Sequence, residues 1–196
     1  RGLVGTLHRV EEEAMMEVEH APLDGLLVLR PKVFRDDRGW FIESFNAATF
    51  GAAAGIGPRF AQDNESCSQA GVVRGLHFQA VPHAQGKLVR VVKGAVLDVC
   101  VDIRRGSPTF GQHFKILLDG EEKVMLWVPE GFAHGFRTLE NDTIFSYKCT
   151  APYHPPSERT LLWHDPALAI DWGIADPVLS AKDRAGLTLA ALAPTL

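Results

Sequence analysis

The sequence predicts an all-β domain, arranged as a β-sandwich or a double-sheet jelly roll, with a few short helices. Short apolar runs, several with a period of two, recur from about Leu26 onwards. Glycine, proline and other turn residues interrupt these runs about every ten residues. Helical patterns are short and scarce. Many short strands with such punctuation are typical of packed antiparallel sheets.

The first predicted strands form a pair. The runs LLVLRPKVF (26–34) and WFIESF (40–45) flank the turn sequence RDDRG (35–39), which predicts strand, turn and strand. The next segment, NAATFGAAAG (46–55), predicts one short helix.

The clearest strand signal is VLDVCVDIR, at residues 96–104. Apolar and polar side chains alternate there, which predicts a strand with one face towards a core. The alternating sets are Leu97, Val99, Val101 and Ile103 against Asp98, Asp102 and Arg104.

Later segments repeat the strand pattern. Residues 109–118, 123–131 and 143–150 each predict a strand. Near the C-terminus, SAKDRAGLTLAALAP (180–194) predicts a second short helix.

Composition and charge limit the class of protein. The 196 residues are 46% hydrophobic and 22% charged, which is ordinary for a globular domain. The formal net charge is −4 and the basic residues are scattered, so binding of a nucleic acid polymer is disfavoured. A nucleotide held by a few arginines remains compatible with this charge.

The cysteines favour a reducing compartment. Cys67, Cys100 and Cys149 are odd in number and form no CxxC pair, which fits neither a disulfide framework nor a zinc ribbon. No apolar run approaches the roughly 20 residues that span a bilayer, and no signal-peptide core is present. The sequence therefore predicts a cytoplasmic protein.

The domain boundary is placed at Met16. Residues 1–15 are weakly patterned and precede this plausible start residue, so they are interpreted as an N-terminal extension. This extension is either a native N-terminal arm or a remnant of an expression vector. Residues 16–196 are predicted to form a single domain.

The histidines favour a site without a metal. No HxH cluster with a following glutamate occurs, although three or four ligands must converge on a bound ion. A site assembled from distant strands stays open. The dispersed histidines are His83, His113, His134, His154 and His164.

Two residues in strand-like runs carry open alternatives. His77, in GVVRGLHFQA (71–80), is either a hydrogen-bonded core residue or a catalyst. Lys87 would share a strand face with Val89 and Val91. It is therefore either an edge residue that reaches water or a cation turned into a pocket.

Arg74 stands between strand-like residues and needs an anion or water if it is buried. In a regular strand Arg74 and His77 would face opposite ways, whereas a bulge at Gly75 would bring them together.

Three further residues have structural interpretations. Tyr147 fits a core position. Arg38 fits a solvated turn, and His134, bracketed by Gly131 and Gly135, fits a tight exposed corner.

Several motifs taken together resemble the dTDP-4-dehydrorhamnose 3,5-epimerase family of sugar-nucleotide epimerases. The resemblance covers the chain from about Met16 to Asp183. The motifs that carry it, in order, are VVRGLHFQ, QGKLVRVVKG, LDVCVDIRRGSPTFGQ, LWVPEGFAHGF, SYKCT and LSAKD.

The resemblance implies a metal-free, cupin-type double-stranded β-helix, which is a jelly roll, and a homodimer without cofactors. It implies a substrate in which a 4-keto-6-deoxyhexose is attached to dTDP. The implied reaction inverts carbons 3 and 5, which flank the ketone.

The resemblance also implies catalytic roles. His77 matches the general base and Asp183 its carboxylate partner. Lys87 matches the cation that stabilises the enolate oxygen, and Tyr147 the acid on the opposite face of the sugar. These chemical types suit the reaction, because a proton beside a carbonyl is weakly acidic and leaves a negative oxygen.

The implied substrate-binding residues surround this set. Arg38 and Arg74 are the implied diphosphate partners, since a guanidinium pairs with phosphate oxygens. Tyr153 is implied to stack on thymine. The full binding set is Arg38, Glu43, Gln62, Asn64, Arg74, His134, Tyr153 and Lys182.

Two positions depart from the family pattern. Pro152 stands where relatives often carry a second aromatic residue, which affects the nucleobase contacts. Cys149 stands where small residues are common and is interpreted as a packing residue.

Other functions remain open at this stage. One is a single-carbon epimerase or a ketoisomerase of a related dTDP-sugar. Another is a cupin that binds a sugar nucleotide without catalysis, and a third is a metal-dependent oxygenase, which the missing HxH cluster disfavours.

Overall fold

The computed structural model describes residues 14–196. Most of the predicted N-terminal extension, residues 1–13, lies outside the described residues. The described part consists mainly of β-strands joined by short turns, which confirms the predicted all-β class.

The bounds of the elements are as follows. The helices are α1 (Ala47–Ala54), α2 (Ala181–Arg184) and α3 (Leu189–Leu192), with 3₁₀ turns at Pro155–Ser157 and Ala193–Thr195. The strands are β1 (Met16–His20), β2 (Leu27–Pro31), β3 (Val33–Asp36), β4 (Gly39–Ile42), β5 (Gln62–Ser68), β6 (Val73–Gln79), β7 (Lys87–Lys93), β8 (Ala95–Asp102), β9 (His113–Asp119), β10 (Met125–Val128), β11 (Phe132–Thr138), β12 (Thr143–Cys149) and β13 (Glu158–Thr160).

The strands form two antiparallel sheets and a separate hairpin. The six-stranded sheet has the order β1-β2-β10-β7-β12-β5, and the five-stranded sheet has the order β13-β6-β11-β8-β9. Strands β3 and β4 pair only with each other. Neighbours distant in sequence, such as β10 and β2, indicate the crossing connections of a jelly roll.

The main core lies between the two sheets. Alternate residues of each strand point inwards, as the pleat requires. Val89 and Val91 of β7 meet Val96 of β8 and Phe136 of β11 in one buried cluster. Each such side chain contributes roughly 1.5–3 kcal/mol when fully buried.

The outer face of the five-stranded sheet is also covered. Trp172, Leu189 and Leu192 of the C-terminal segment pack against Val99 and Val101 of β8. The alternation in residues 96–104 predicted one core-facing side, and the structure buries both. The polar side faces the space between the sheets.

Both predicted helical regions are short in the structure. Asn46 begins α1 by accepting hydrogen bonds from the backbone amides of Ala48 and Thr49, and Gly55, with φ of 69°, ends it. The C-terminal region predicted as one helix contains two, α2 and α3.

Strand β6 contains a bulge at Gly75, which is the second of the two alternatives left open by the sequence. His77 pairs with His134 and Arg74 pairs with Phe136, so β6 has one extra residue over this interval. Gly75 has φ of +123°, which favours glycine. The bulge brings Arg74 and His77 to the same cavity.

Within residues 14–196, every helix falls short of the length and apolar character that a membrane crossing requires.

We predict that Gly75→Ala lowers the free energy of unfolding by about 2 kcal/mol or more. A Cβ at Gly75 would lie 2.6 Å from the Cα atom of Gly135 and 2.9 Å from the carbonyl oxygen of His134. Urea unfolding measures the change. Gly57→Ala is the matched control, because a Cβ there meets no atom within 4 Å. Equal stability of the two variants would show that the close approach at Gly75 is unimportant.

Candidate active site

A cavity of about 470 Å³ opens between the two sheets. Side chains from β5, β6, β7, β11, β12, β13 and α2 line it. A smaller cavity of about 230 Å³ shares His77, Lys87 and Tyr147 with it. The two cavities form the candidate site.

His77 and Asp183 form a close pair in the larger cavity. The Nε2 atom of His77 lies 2.5 Å from the Oδ1 atom of Asp183. Ser180 holds the carboxylate, since its hydroxyl donates to Oδ2 of Asp183 at 2.7 Å and accepts from the Asp183 amide. Ser180 is the N-terminal cap of α2.

The pair is arranged for proton transfer. Burial alone would raise the pKa of Asp183, but hydrogen bonds from His77 and Ser180 outweigh it and lower that pKa. Asp183 is therefore ionised at neutral pH and accepts the proton on Nε2 of His77. The Nδ1 atom of His77 is the ring nitrogen left to act as a base.

Lys87 is buried inside the molecule, which rules out the edge position. Strand β7 lies between β10 and β12, and the Lys87 side chain points into the cavity. Its Nζ atom lies 3.5 Å from the carbonyl oxygen of His77. Burial lowers the pKa of Lys87, and nearby acidic groups oppose this effect.

Tyr147 faces the same cavity from β12. Its ring packs beside Phe145, with ring centroids 6.0 Å apart. Burial raises the pKa of the Tyr147 phenol, so the hydroxyl keeps its proton at neutral pH. Tyr147 is therefore not only a core residue, because it presents a protonated hydroxyl group to the cavity.

The prediction of an exposed corner at His134 is wrong. His134 lies within β11 and is 6% exposed. Its Nε2 atom lies 2.9 and 3.0 Å from the two carboxylate oxygens of Asp98, on neighbouring β8. Gly135 serves close strand packing, because a Cβ there would lie 2.5 Å from the carbonyl oxygen of Arg74.

Asp98, Cys100 and His134 place three metal-capable atoms within 4.8 Å of one another. A search for HxH misses this group because its members come from two strands. Burial raises the pKa of Cys100 well above its usual value, so the thiol is protonated. Cys100 is therefore an uncharged member of this group when no metal is bound.

Six of the predicted binding residues lie at the cavities. Arg74, His134, Tyr153 and Lys182 line the larger cavity. The Nε atom of Arg74 donates to the Ser68 hydroxyl at 3.0 Å. Gln62 and Asn64 line the smaller one.

Two predicted binding residues lie elsewhere in this chain. Arg38 stands at the turn of the β3–β4 hairpin, where its guanidinium pairs with Asp36. Glu43 accepts hydrogen bonds from Asn46 and Thr49 at the start of α1. Neither lines the two cavities.

The prediction from sequence missed Asp98 and Glu158 as site residues. Asp98 carried a signal, because it belongs to the polar side of the alternating strand β8. Glu158 carried no such signal in the sequence, because it follows a loop. The pairing of Glu158 with Gln79 places it beside β6. Glu158 accepts hydrogen bonds from Lys182 at 2.8 Å and from the Tyr153 hydroxyl at 2.9 Å.

Comparison with known proteins gives consistent matches over this domain. Residues 20–191 match the family model described as dTDP-4-dehydrorhamnose 3,5-epimerase. The dTDP-4-dehydrorhamnose 3,5-epimerase of Salmonella typhimurium is 52% identical over 172 residues, which is 87% of this chain and 94% of that protein.

Solved structures share the fold. A dTDP-6-deoxy-D-glucose-3,5-epimerase from Legionella pneumophila, in complex with dTDP-4-keto-L-rhamnose, superposes with a TM-score of 0.86 at 50% identity. The match covers 89% of this chain and 93% of that one. A 3′-monoepimerase from Streptomyces bikiniensis, in complex with dTDP-quinovose, has a TM-score of 0.84 at 34% identity and covers 89% of each chain.

Proposed function

The chain belongs to the dTDP-4-dehydrorhamnose 3,5-epimerase family, and on this basis we propose how its residues carry out the reaction. It is an isomerase that inverts carbons 3 and 5 of dTDP-4-dehydro-6-deoxy-D-glucose to give dTDP-4-dehydro-L-rhamnose. One observation carries the mechanism. The His77–Asp183 pair faces Lys87 and Tyr147 across a single cavity.

His77 removes the proton from the carbon beside the ketone. The imidazolium that forms is stabilised by the ionised carboxylate of Asp183, 2.5 Å away. The pair therefore resembles the base and carboxylate of other proton-transfer enzymes.

Lys87 stabilises the enolate oxygen. Loss of the proton moves negative charge onto the ketone oxygen, and an ammonium in a site with little water interacts strongly with that charge. Burial of Lys87 gives this environment.

Tyr147 returns a proton from the other face of the sugar. His77 is on β6 of the five-stranded sheet, whereas Tyr147 is on β12 of the six-stranded sheet. A sugar ring between the sheets therefore meets a base on one face and an acid on the other. Inversion requires this arrangement, since the proton must leave one face and return on the opposite one.

The remaining cavity residues bind the nucleotide and sugar. Arg74 and Lys182 offer positive charge to the diphosphate. Tyr153 is half exposed, so its ring is available to stack on thymine. Gln62 and Asn64 offer amide groups from β5, and His134 offers a ring nitrogen from β11.

We further propose a homodimer in which Arg38 and Glu43 serve the partner's site. Both residues lie apart from the cavities of their own chain. The hairpin that carries Arg38 exposes Phe41 at 67% and Trp40 at 49%. Exposed aromatic side chains on one hairpin favour burial against a protein partner.

The proposed reaction needs no metal or redox cofactor. One proton leaves and another returns at each carbon, so the sugar undergoes no net oxidation. Residues 16–196 act as a single domain in this proposal, and we assign the enzyme to the cytoplasm because its free thiols and nucleotide-sugar substrate suit that compartment.

We predict that His77→Ala abolishes the uptake of solvent deuterium at both carbon 3 and carbon 5. His77 removes both protons in the proposed mechanism, so without its ring neither proton is removed at a measurable rate. Proton NMR of the substrate in heavy water measures the exchange. His164→Ala, at an exposed position, is the control and exchanges normally. Persistent exchange in His77→Ala would remove His77 as the base.

We predict that Tyr147→Phe retains exchange begun by His77 but lowers the rate of inversion at carbon 5 by about 100-fold or more. The phenylalanine ring fills the same space and donates no proton. NMR of the products separates exchange from inversion. Unchanged 3,5-epimerisation would exclude Tyr147 from the mechanism.

We predict that Arg38→Ala and His77→Ala, each impaired alone, restore activity when the two chains are co-expressed. In a mixed dimer, the cavity of the Arg38→Ala chain keeps His77 and receives Arg38 from its partner. Activity assays and sedimentation of the purified mixture check this outcome. A monomer in solution, or a mixed dimer without recovered activity, would contradict the shared site.

A further inference from the structure

The loop at residues 151–154, which carries Tyr153, is held by glutamine side chains. It lies outside the strands, between β12 and the 3₁₀ turn at Pro155–Ser157. Backbone groups in a loop need other hydrogen-bond partners, because no neighbouring strand pairs with them. Three glutamines from separate parts of the chain supply these partners, namely Gln62 from β5, Gln79 from β6 and Gln85 from the segment before β7.

The glutamine contacts cover four consecutive residues of the loop. The carbonyl oxygen of Ala151 accepts a hydrogen bond from Nε2 of Gln85 at 2.7 Å. The amide of Tyr153 donates to Oε1 of Gln62, also at 2.7 Å. Gln79 contacts the other two residues of the loop.

Gln79 makes three hydrogen bonds with backbone groups. Its Oε1 atom accepts from the amide of His154 at 2.7 Å, and its Nε2 atom donates to the carbonyl oxygen of Pro152 at 3.3 Å. The same Nε2 atom donates to the carbonyl oxygen of His83 at 2.6 Å. Backbone amides only donate and carbonyls only accept, so these partners fix which way the glutamine amide points. Gln79 therefore joins the loop to the segment that contains His83.

Gln79 also connects the loop to the strand of the proposed base. It lies two residues after His77 on β6, where successive pairing with β13 is regular, so the two side chains share a face. Both line the smaller cavity. Gln79 is 7% exposed, and a buried amide is costly unless it is hydrogen-bonded. Its three bonds meet that cost.

The position of the Tyr153 ring depends on both ends of the residue. At one end, the hydroxyl donates to Oε2 of Glu158 at 2.9 Å. At the other end, the backbone is held by Gln62 directly and by Gln79 through the residues on either side, Pro152 and His154. The half-exposed ring between these ends is free to meet a ligand.

We propose that Gln79 is a positioning residue of the nucleotide site, which holds the loop at residues 151–154 so that the Tyr153 ring stays at a fixed distance from His77. This inference rests on the proposed function, in which Tyr153 stacks on thymine and His77 is the base. Gln79 acts through Tyr153, because both of its N–H groups are already bonded to the protein.

The consequence is a matched spacing between two parts of the site. The nucleobase and the sugar of a dTDP-sugar are joined by a linker of limited length. A nucleobase held at the right place therefore brings the sugar ring to the base, and a displaced one does not.

The first test measures ligand binding to Gln79→Met by calorimetry. Methionine has a similar length but no N–H donor, so the loop loses its bonds to this side chain. We expect the Kd of dTDP to rise about tenfold, while the Kd of pyrophosphate, which has no nucleobase, stays unchanged. A purely structural role would weaken both ligands alike. That result, or unchanged binding of dTDP, would overturn the proposal.

The matched control is Gln69→Met. Gln69 is exposed, makes one side-chain hydrogen bond, to Asp142 at 2.8 Å, and lies away from both cavities. We expect both ligands to bind this variant as they bind the wild-type protein. A tenfold loss of dTDP binding here would show that the measurement does not report on the loop.

The second test asks whether Gln79 acts through Tyr153. Calorimetry with dTDP compares Gln79→Met, Tyr153→Ala and the double variant. If the glutamine only positions the tyrosine ring, Gln79→Met causes no further loss of affinity once that ring is absent. Losses that multiply in the double variant would show that Gln79 affects the ligand by another route and would overturn the proposal.

The third test uses the wild-type protein and covers the case in which Gln79→Met fails to fold. Hydrogen exchange followed by NMR measures the amides of Tyr153 and His154. We expect both to exchange about 100-fold or more slowly than in an unstructured peptide, because each donates to a glutamine oxygen. Exchange of the His154 amide at the unstructured rate would overturn the proposal.

These tests are separate from a test of the proposed function, because none of them requires turnover. Solvent exchange into the sugar by the wild-type enzyme tests the epimerase reaction itself. A protein that binds dTDP through the positioned loop but leaves the sugar protons in place would refute the proposed reaction and support the role of Gln79.

Discussion

The ammonium group of Lys87, enclosed between two largely apolar sheets, is the constraint on which the rest of the site depends. A cation in such an environment requires negative charge and hydrogen-bond acceptors nearby. The carbonyl oxygen of His77, from β6, lies 3.5 Å from the Lys87 Nζ atom, and the carboxylate of Glu158, from β13, lines the same cavity. In the proposed mechanism, the same enclosure strengthens the interaction of the lysine with a developing enolate.

The two sheets place the proposed catalytic side chains on opposite sides of the cavity. His77, the proposed base, is on the five-stranded sheet, and Lys87 and Tyr147 are on the six-stranded sheet. Close packing of β6 against β11 depends on Gly75 and Gly135, whose missing side chains allow the two backbones to approach. The bulge there turns both Arg74 and His77 into the cavity. A small backbone irregularity therefore joins the proposed phosphate-binding and proton-transfer residues in one cavity.

Much of the fold was predictable from the sequence because its strands have strong apolar patterns. The strand at residues 96–104 was predicted, although burial of both its faces was not, since the covering residues come from the distant C-terminal segment. Strand β5 was not predicted, because QDNESCS has no apolar alternation. The catalytic and binding roles could be assigned to residues only through the family resemblance. The burial of His134 could not be predicted, because it results from the pairing of β11 with β8.

The central claim is that one cavity exchanges and inverts two carbons of a 4-keto sugar. Proton NMR of dTDP-4-dehydro-6-deoxy-D-glucose with the wild-type enzyme in heavy water tests it most directly. The account predicts loss of the proton signals at carbons 3 and 5 and appearance of the L-rhamno product. Exchange at one carbon only would identify a single-carbon epimerase, and exchange at neither would leave a protein that binds the nucleotide sugar without turning it over. Either of these results would contradict the account.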